Sequence, residues 1–342
     1  MKPYMFFSPP DRGSPEVDLR DSSVRKYHLA ALLIIILLSL GLSACTSTKQ
    51  PAESVPLKIA VLPILDTLPM YVAQQEGMFD KHGVKVEFVP VQSAAERDQV
   101  ISAGQADGMI NDPVAVQLYN KDKPQVQIVR FAETATPERS MFRLLASAES
   151  NLQNVDSLKN VEIGISEGTV IQYMTERLLE AQGFTPQDIK TIAVPKMSDR
   201  MALLGTGELE AAMLPEPLSS LAAQNGARPI LDDTVKPEIS YSTYAFRKPV
   251  IDQHPDAIRA FLAAIEEAIA LINQDPQKWS ALLVDQKVVP QPIAGSFQIP
   301  TFVTASVPSQ AQWDDVLAWT KAKGLITQDL SYKDSVTDQY LP

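Results

Sequence analysis

The sequence predicts an α/β chain of two similar lobes. Two observations carry that reading. Short apolar runs alternate with helical patterns along most of the chain, which is the signature of sheets flanked by helices. One such stretch also occurs twice. Lys58–Leu62 (KIAVL) and Val161–Ile165 (VEIGI) are both apolar runs that open a unit. Each unit closes on an Arg-led helical pattern ending in Gly, then an acid, an apolar run and an acid-Pro pair: Arg97–Gly104, Asp107, Met109–Ile110 and Asp112-Pro113 in the first, Arg200–Gly207, Glu210, Ala211–Leu214 and Glu216-Pro217 in the second. The offset is 103 residues at the opening and at the arginine, and the second copy runs one residue longer before its acid-Pro. A single long repeat of this kind predicts two lobes, not a solenoid, which needs three or more shorter units.

Taken in order, Lys58–Leu62 reads as a buried strand stopped by Pro63. Pro69 opens a helix that Met70–Phe79 continues and His82-Gly83 stops. Val84–Val89 alternates apolar and charged residues, as a strand with one covered face does. Ser93 with Glu96 three residues on has the capping-box spacing, and Gly104 ends that helix. Met109–Ile110 is a short strand and Pro113–Tyr119 a short helix. Val126–Phe131, the polar Glu133–Ser140 and the apolar Met141–Ala146 read as the first crossing between lobes. In the second lobe Leu152–Lys159 is a surface turn and short helix, Ile163–Ile165 a strand, Ser166–Thr169 a turn and Val170–Ala181 an amphipathic helix ended by Gly183. Ile189–Val194 is a strand, Ser198 caps Asp199–Leu204, Ala211–Leu214 is a strand and Leu218–Gln224 a helix. Ser240–Phe246 is the return crossing. Ile258, Phe261, Leu262, Ile265, Ile269 and Ile272 then mark the buried face of a helix bounded by Pro255 and Asp275-Pro276. Trp279, Trp313 and Trp319 are read as core.

The chain has 342 residues and a formal net charge of −11, and the residues from Cys45 onward carry the acidic excess. Such a body is repelled by nucleic-acid phosphates, which argues against a nucleic-acid partner. The one cysteine, Cys45, excludes an internal disulfide and a Cys-based zinc site. Its position is informative. Arg25 and Lys26 precede the fourteen-residue apolar run Leu29–Leu42, too short for a comfortable bilayer crossing and fitting a signal peptide. Leu42-Ser43-Ala44-Cys45 resembles the bacterial lipobox, in which cleavage before the Cys leaves a thiol that carries the lipid (palmitate among its acyl chains). An uncleaved membrane helix is the rival reading. Met1–Asp21 is long for a leader's basic region, which points to a later start. The expected organisation is a signal peptide over residues 1–44, a lipid-anchored tether over 45–56, the first part of lobe 1 over 57–142, lobe 2 over 143–240, and a return crossing with C-terminal helices packing on lobe 1 over 241–342.

Ligands in open α/β sheets bind beyond the carboxyl ends of the strands, so four loops are candidates. Ser166-Glu167-Gly168-Thr169 lies between a strand and a helix. Its hydroxyls, its glycine and the helix start suit an anion or polar oxygen; an ordinary Ser cap fits the same residues equally well. Glu216, between two prolines, can take an amine or ring N–H, and Asp112 is its counterpart, with an exposed turn acid as the alternative for each. Asp66 and Thr67 follow the first strand, and Asn111 precedes Asp112. Tyr173, Tyr241 and Tyr244 can stack on a flat ligand or simply pack. No catalytic signature accompanies these loops: the three His are scattered, no Gly-x-Ser-x-Gly elbow occurs and no second Cys is present. No metal or cofactor is expected.

A lipobox, then KIAVLPILDTLPMYVAQQEGMFDKHGVKVEFV, ISAGQADGMI, IGISEGT, LPEPL and HPDAIRAFLAAI, in this order, resembles the substrate-binding lipoproteins of ABC importers. The resemblance is to the group that binds nitrate, alkanesulfonates or thiamine-pyrimidine precursors, and it spans Leu57 to Trp319. It implies the α/β two-lobe periplasmic-binding-protein type II fold with hinge crossings. It also implies a monomer, lipid-anchored on the extracytoplasmic face of the cell membrane, that delivers a small solute to a permease and its ATPase. The family's ligand loops fall on Asp66–Pro69, Asn111-Asp112, Ser166–Thr169 and Glu216. A pyrimidine-synthase branch of the same family uses a Cys-rich segment and Lys-bound pyridoxal phosphate, and the single Cys argues against it. The excess of acids in the candidate loops favours a solute with amino or ring N–H donors, an aminopyrimidine or related vitamin, with sulfonate, nitrate or riboflavin as alternatives.

Overall fold

The computed structural model describes residues 56–342; the leader, Cys45 and the tether lie outside the described residues. Two five-stranded sheets form the frame. The first is built from β1 (Pro56–Val61), followed by helices α1 (Leu68–Gln75) and α2 (Met78–Lys81), β2 (Lys85–Pro90), α3 (Ala94–Ser102), β3 (Gly108–Asn111), α4 (Pro113–Asn120) and β4 (Val126–Thr134). The chain then enters the second sheet with β5 (Phe142–Ala146), β6 (Glu162–Ile165), α5 (Val170–Ala181), β7 (Lys190–Ala193), α6 (Met197–Thr206), β8 (Ala211–Pro215), α7 (Leu218–Gln224) and β9 (Arg228–Asp232). It returns with β10 (Tyr241–Arg247), and continues as α8 (Lys248–Gln253), α9 (Pro255–Gln274), α10 (Ser280–Asp285), α11 (Gln310–Ala322) and α12 (Tyr332–Ser335).

The strand orders are β2-β1-β3-β10-β4 and β7-β6-β8-β5-β9. In each sheet the first three strands are parallel and the fourth runs against them. The repeat in the sequence is therefore a repeat of topology. Each lobe takes its antiparallel fourth strand from the far side of a crossing, β10 in the first and β5 in the second, so the two halves hold each other's chain. Asp233 ties the crossings together. It is fully buried, accepts from the backbone N–H of Met141 and Phe142 at 3.1 Å, and accepts from the Ser240 hydroxyl.

Local differences from the sequence reading have local causes. The first helix breaks at Gly77, whose φ of +67° splits it into α1 and α2. Ser93 caps α3 as expected, but Glu96 reaches the N–H of Gln92, not that of Ser93, at 2.7 Å. Ser198 does not cap its helix: α6 begins two residues before the expected Asp199, at Met197, with Lys196 in the cap position and no side-chain cap. The strand β9 has no counterpart in the sequence reading; it carries Pro229 and lies at the sheet edge, where a missing N–H is tolerated.

The six apolar residues read on one face of α9 are each 1% exposed or less, and Phe261 stacks on Phe79 at 5.6 Å. Removing a buried aromatic of this kind costs about 3–5 kcal/mol. Trp279, Trp313 and Trp319 are buried. The α11 helix contacts both lobes. Gln117 of α4 donates to the Trp313 carbonyl and accepts from Thr320, while Tyr173 and Arg177 of α5 bond Asp315 and the Trp319 indole N–H bonds Glu176. Among the described residues no helix is long and apolar enough to cross a membrane.

Candidate ligand-binding cleft

The loops at the carboxyl ends of β1, β3, β6 and β8 meet between the sheets, around a narrow cavity of about 80 Å³. That is several times the space one water needs. Asp66, Asn111, Asp112, Ser166, Thr169 and Glu216 all line it. They come from four loops spread over 150 residues of chain, and the doubled topology is what brings them to one place.

The other sequence candidates serve elsewhere. Thr67 is fully buried and turns its hydroxyl back to the Ile64 carbonyl at 2.6 Å. Glu167 is exposed. Gly168, at φ +68°, gives its N–H to the Gln172 side chain at 2.8 Å, so the donor offered to a ligand is already used. Tyr173 packs edge-on to Trp319 and donates to Asp315 at 2.5 Å. Tyr244 stands behind the first loop and donates to the Asp66 carbonyl at 3.4 Å. Of the three tyrosines only Tyr241 lines the cleft.

Sequence reasoning missed Glu133, Ser242, Arg97 and Arg200 as lining residues. Glu133 lies at the end of β4, in a stretch read only as a crossing. Its carboxyl lies beside that of Asp66, which Ser242 also adjoins, and its backbone N–H donates to the Ser242 hydroxyl at 3.1 Å. Burial raises the Asp66 pKa; burial and then the neighbouring Asp66 charge raise that of Glu133 well above the usual carboxylate range. Like charges this close oppose ionisation of both carboxyls. Arg139 stands 3.9 Å from Glu133, and burial lowers its own pKa. Glu216 adds a third carboxyl, 6% exposed and 3.1 Å from Arg143 without hydrogen-bond geometry.

Asp112 has a structural duty besides lining the cleft. Its carboxylate caps α4 by accepting from the Ala115 N–H at 3.0 Å and lies 3.6 Å from Arg97. Burial raises its pKa, an effect that Arg97 opposes. Thr169 caps α5 in the same way, accepting from the Ile171 N–H at 3.2 Å.

Buried polar atoms are rarely left unpaired. Here eleven described side-chain atoms are, and six of them belong to cleft residues: Arg97 Nη2, Asn111 Nδ2, Arg200 Nη2, both Glu216 oxygens and the Tyr241 hydroxyl. Buried donors and acceptors without a protein partner around one cavity are what a polar ligand would satisfy. Among the described residues no cluster of three or more His, Cys, Asp or Glu could hold a metal ion.

Two α/β lobes joined by two crossings around such a cleft define the periplasmic-binding-protein type II class. The alkanesulfonate-binding protein SsuA from Xanthomonas axonopodis pv. citri, solved bound to MOPS, has this fold with a TM-score of 0.70 at 15% identity, over 84% of this chain and 99% of that one. A family model described as NMT1/THI5 like matches residues 65–279, more than half of the chain, and the protein belongs to that family. A putative aliphatic sulfonates-binding protein of Bacillus subtilis (strain 168) is 22% identical over 330 residues, 92% of this chain and 96% of the relative. A putative ABC transporter periplasmic binding protein of Brachyspira hyodysenteriae is 20% identical over 266 residues, 73% of this chain and 75% of the relative.

Proposed function

We propose that the protein is the extracytoplasmic solute-binding component of an ABC importer, held to the membrane by a lipid on Cys45, and that it passes a small polar organic solute to a permease and ATPase. The solute carries amino or ring N–H donors, as an aminopyrimidine or a related vitamin precursor does. The observation that carries the reading is the convergence of Asp66, Glu133 and Glu216 on one buried cavity. Burial makes the Asp66 and Glu133 carboxyls expensive to ionise, and the three carboxyls gather negative charge in one place. A ligand cation or a set of N–H donors offsets both costs through charge-assisted hydrogen bonds. The family membership and the relatives named as binding proteins support the solute-binding part of this reading.

Mass spectrometry of protein purified from its own host, without refolding, tests the proposal; a copurified amine-bearing heterocycle is expected. Thermal unfolding against a panel of aminopyrimidines, flavins, sulfonates and nitrate is the second arm. A ligand at a hundred times its dissociation constant adds about 2.7 kcal/mol. Stabilisation by nitrate or simple sulfonates alone would refute the amino-donor class. Turnover of any panel member would replace capture by catalysis. The anchor is tested separately: Cys45→Ser abolishes lipid labelling, and unchanged labelling refutes it.

A further inference from the structure

A second, larger cavity lies against the cleft. It holds about 570 Å³, and Glu216 lines both spaces. Arg139, Arg143 and Ser220 form one side of this outer chamber, and residues 293–300 form another. The chamber reaches the surface at Glu138, Gln224 and Gln298, all exposed. The narrow cavity also has a rim of its own, lined by the apolar residues Ala94, Pro195 and Met197. Met201, one turn beyond Met197, packs against the first-lobe core and against a second-lobe cluster.

Two arginine–glutamate contacts separate the chamber from the cavity. Arg143 Nη1 lies 3.1 Å from Glu216 Oε1, and Arg139 Nη2 lies 3.9 Å from Glu133 Oε1. In each pair the arginine lines the chamber and the glutamate lines the cavity. The arginines are partly exposed and the glutamates buried. Neither contact is a hydrogen bond: both Glu216 oxygens lack a partner, as does Arg139 Nη1, and 3.9 Å is too long. Arg143 is held from the chamber side, where its Nε donates to the Ser140 hydroxyl at 2.9 Å and its Nη1 to the Ser220 hydroxyl at 3.3 Å. It also has a second seat. Arg143 is the register partner of Asp232 across β5 and β9, and residues opposite each other on paired strands are side-chain neighbours. Asp232 lines the same chamber.

We infer that Arg139 and Arg143 form a gate between the outer chamber and the ligand cavity, and that the solute enters through it. Arg143 leaves Glu216 for Asp232, Arg139 turns into the chamber, and the N–H donors of the incoming solute take their places on the two glutamates. A buried carboxylate stripped of its cation is costly; this exchange strands none. The gate is also selective, because a solute without donors cannot replace the arginines. Entry over the apolar rim would instead part the lobes and break the packing of Met201. The inference rests on the solute-binding reading and adds the route by which the solute arrives.

The test does not depend on knowing the solute. In a Cys45→Ser background, Ser166→Cys places a single thiol in the narrow cavity. The probe is 2-aminoethyl methanethiosulfonate, a small cationic thiol reagent, and intact-mass spectrometry reads the labelling rate. Arg143→Gln raises that rate at least tenfold, while Arg143→Lys, which keeps the ion pair, leaves it near the starting value. Ser220→Trp, which fills the chamber, lowers it at least tenfold; Met197→Trp at the apolar rim leaves it unchanged. A thiol at Ala212→Cys, buried in the second sheet, reports unfolding, and its labelling does not respond to Arg143→Gln. A parallel rise at that position shows that the substitution only loosens the fold, and overturns the gate. So does a rate indifferent to Arg143→Gln, or one that falls with Met197→Trp and not with Ser220→Trp, which assigns entry to the rim and leaves solute binding standing. The solute-binding reading falls separately, if no copurified or panel solute binds, whatever the labelling rates are.

Discussion

The two lobes solve one packing problem in two ways. Each has an arginine that enters the interior from the helix before the third parallel strand and ties that helix to the strand carbonyl. In the first lobe two aspartates neutralise it. Burial disfavours the charge of Arg97, yet Asp98 and Asp112 outweigh burial and raise its pKa; Arg200 has burial alone and is lowered. The same side chain is thus a structural pin in one lobe and a standing electrostatic demand in the other. A repeated fold can keep its architecture while the counter-charges of its paired residues diverge.

The sharpest way to break this comparison is to remove both charges in turn. Arg97→Met leaves Asp112 buried without its cation and should cost about 3–5 kcal/mol, whereas Arg200→Met leaves no carboxylate stranded, loses two bonds to backbone carbonyls and should cost less. Equal losses in urea unfolding would show that the two arginines do the same job.

The next effect belongs to the joint between the lobes. Asp233 is raised to about 6 chiefly by burial, against an ordinary 3.8. The folded state therefore binds its proton more tightly than the unfolded chain does, and stability falls as pH rises from about 4 to about 6. Two units amount to ~3 kcal/mol. Asp66, Asp112 and Glu133 are raised too and tilt the curve the same way, so the contribution of the joint is the difference in slope between wild type and Asp233→Asn. Identical slopes would place the proton elsewhere.

Giving the second lobe the acid it lacks sharpens the comparison from the other side. Met201→Asp puts a carboxylate at the position of Asp98. It should raise stability by giving Arg200 a counter-charge, read as a higher urea midpoint, while the matching Asp98→Met in the first lobe lowers it. The smallest expected effect is at the caps. Thr169→Ala removes the α5 cap for ~1 kcal/mol, while Asp112→Ala costs more, because Asp112 is cap and counter-ion together. Chemical unfolding of both variants checks the order.

Much of this was legible in the chain. The periods of the apolar runs, the glycine stops and the 103-residue offset predicted the two sheets and four of the cleft loops, because those signals act over a few residues at a time. Helix α5 has the bounds its pattern predicts, Val170–Ala181, and α7 likewise, Leu218–Gln224. Of the Ser166–Thr169 loop the structure brings Ser166 and Thr169 to the cavity, while Glu167 is exposed and the glycine N–H is spent on Gln172. Tyr173 and Tyr244 looked like ligand platforms because aromatic residues near a cleft and aromatic residues behind it have the same sequence pattern.

What the sequence by itself determined was the architecture: two lobes of one design, two crossings between them, a long C-terminal helix with one buried face, and an acidic group of loops at the strand ends. Tertiary structure alone decided the chemistry of the cleft. It set Glu133 against Asp66 across 67 residues of chain, sent Glu216 to Arg143, laid α11 over both lobes, and left Arg200 without a counter-charge. The physical reason is range. Periodicity and capping are settled within a turn or two of the residue concerned, whereas the partner of a buried charge depends on which distant strand end the packing brings beside it.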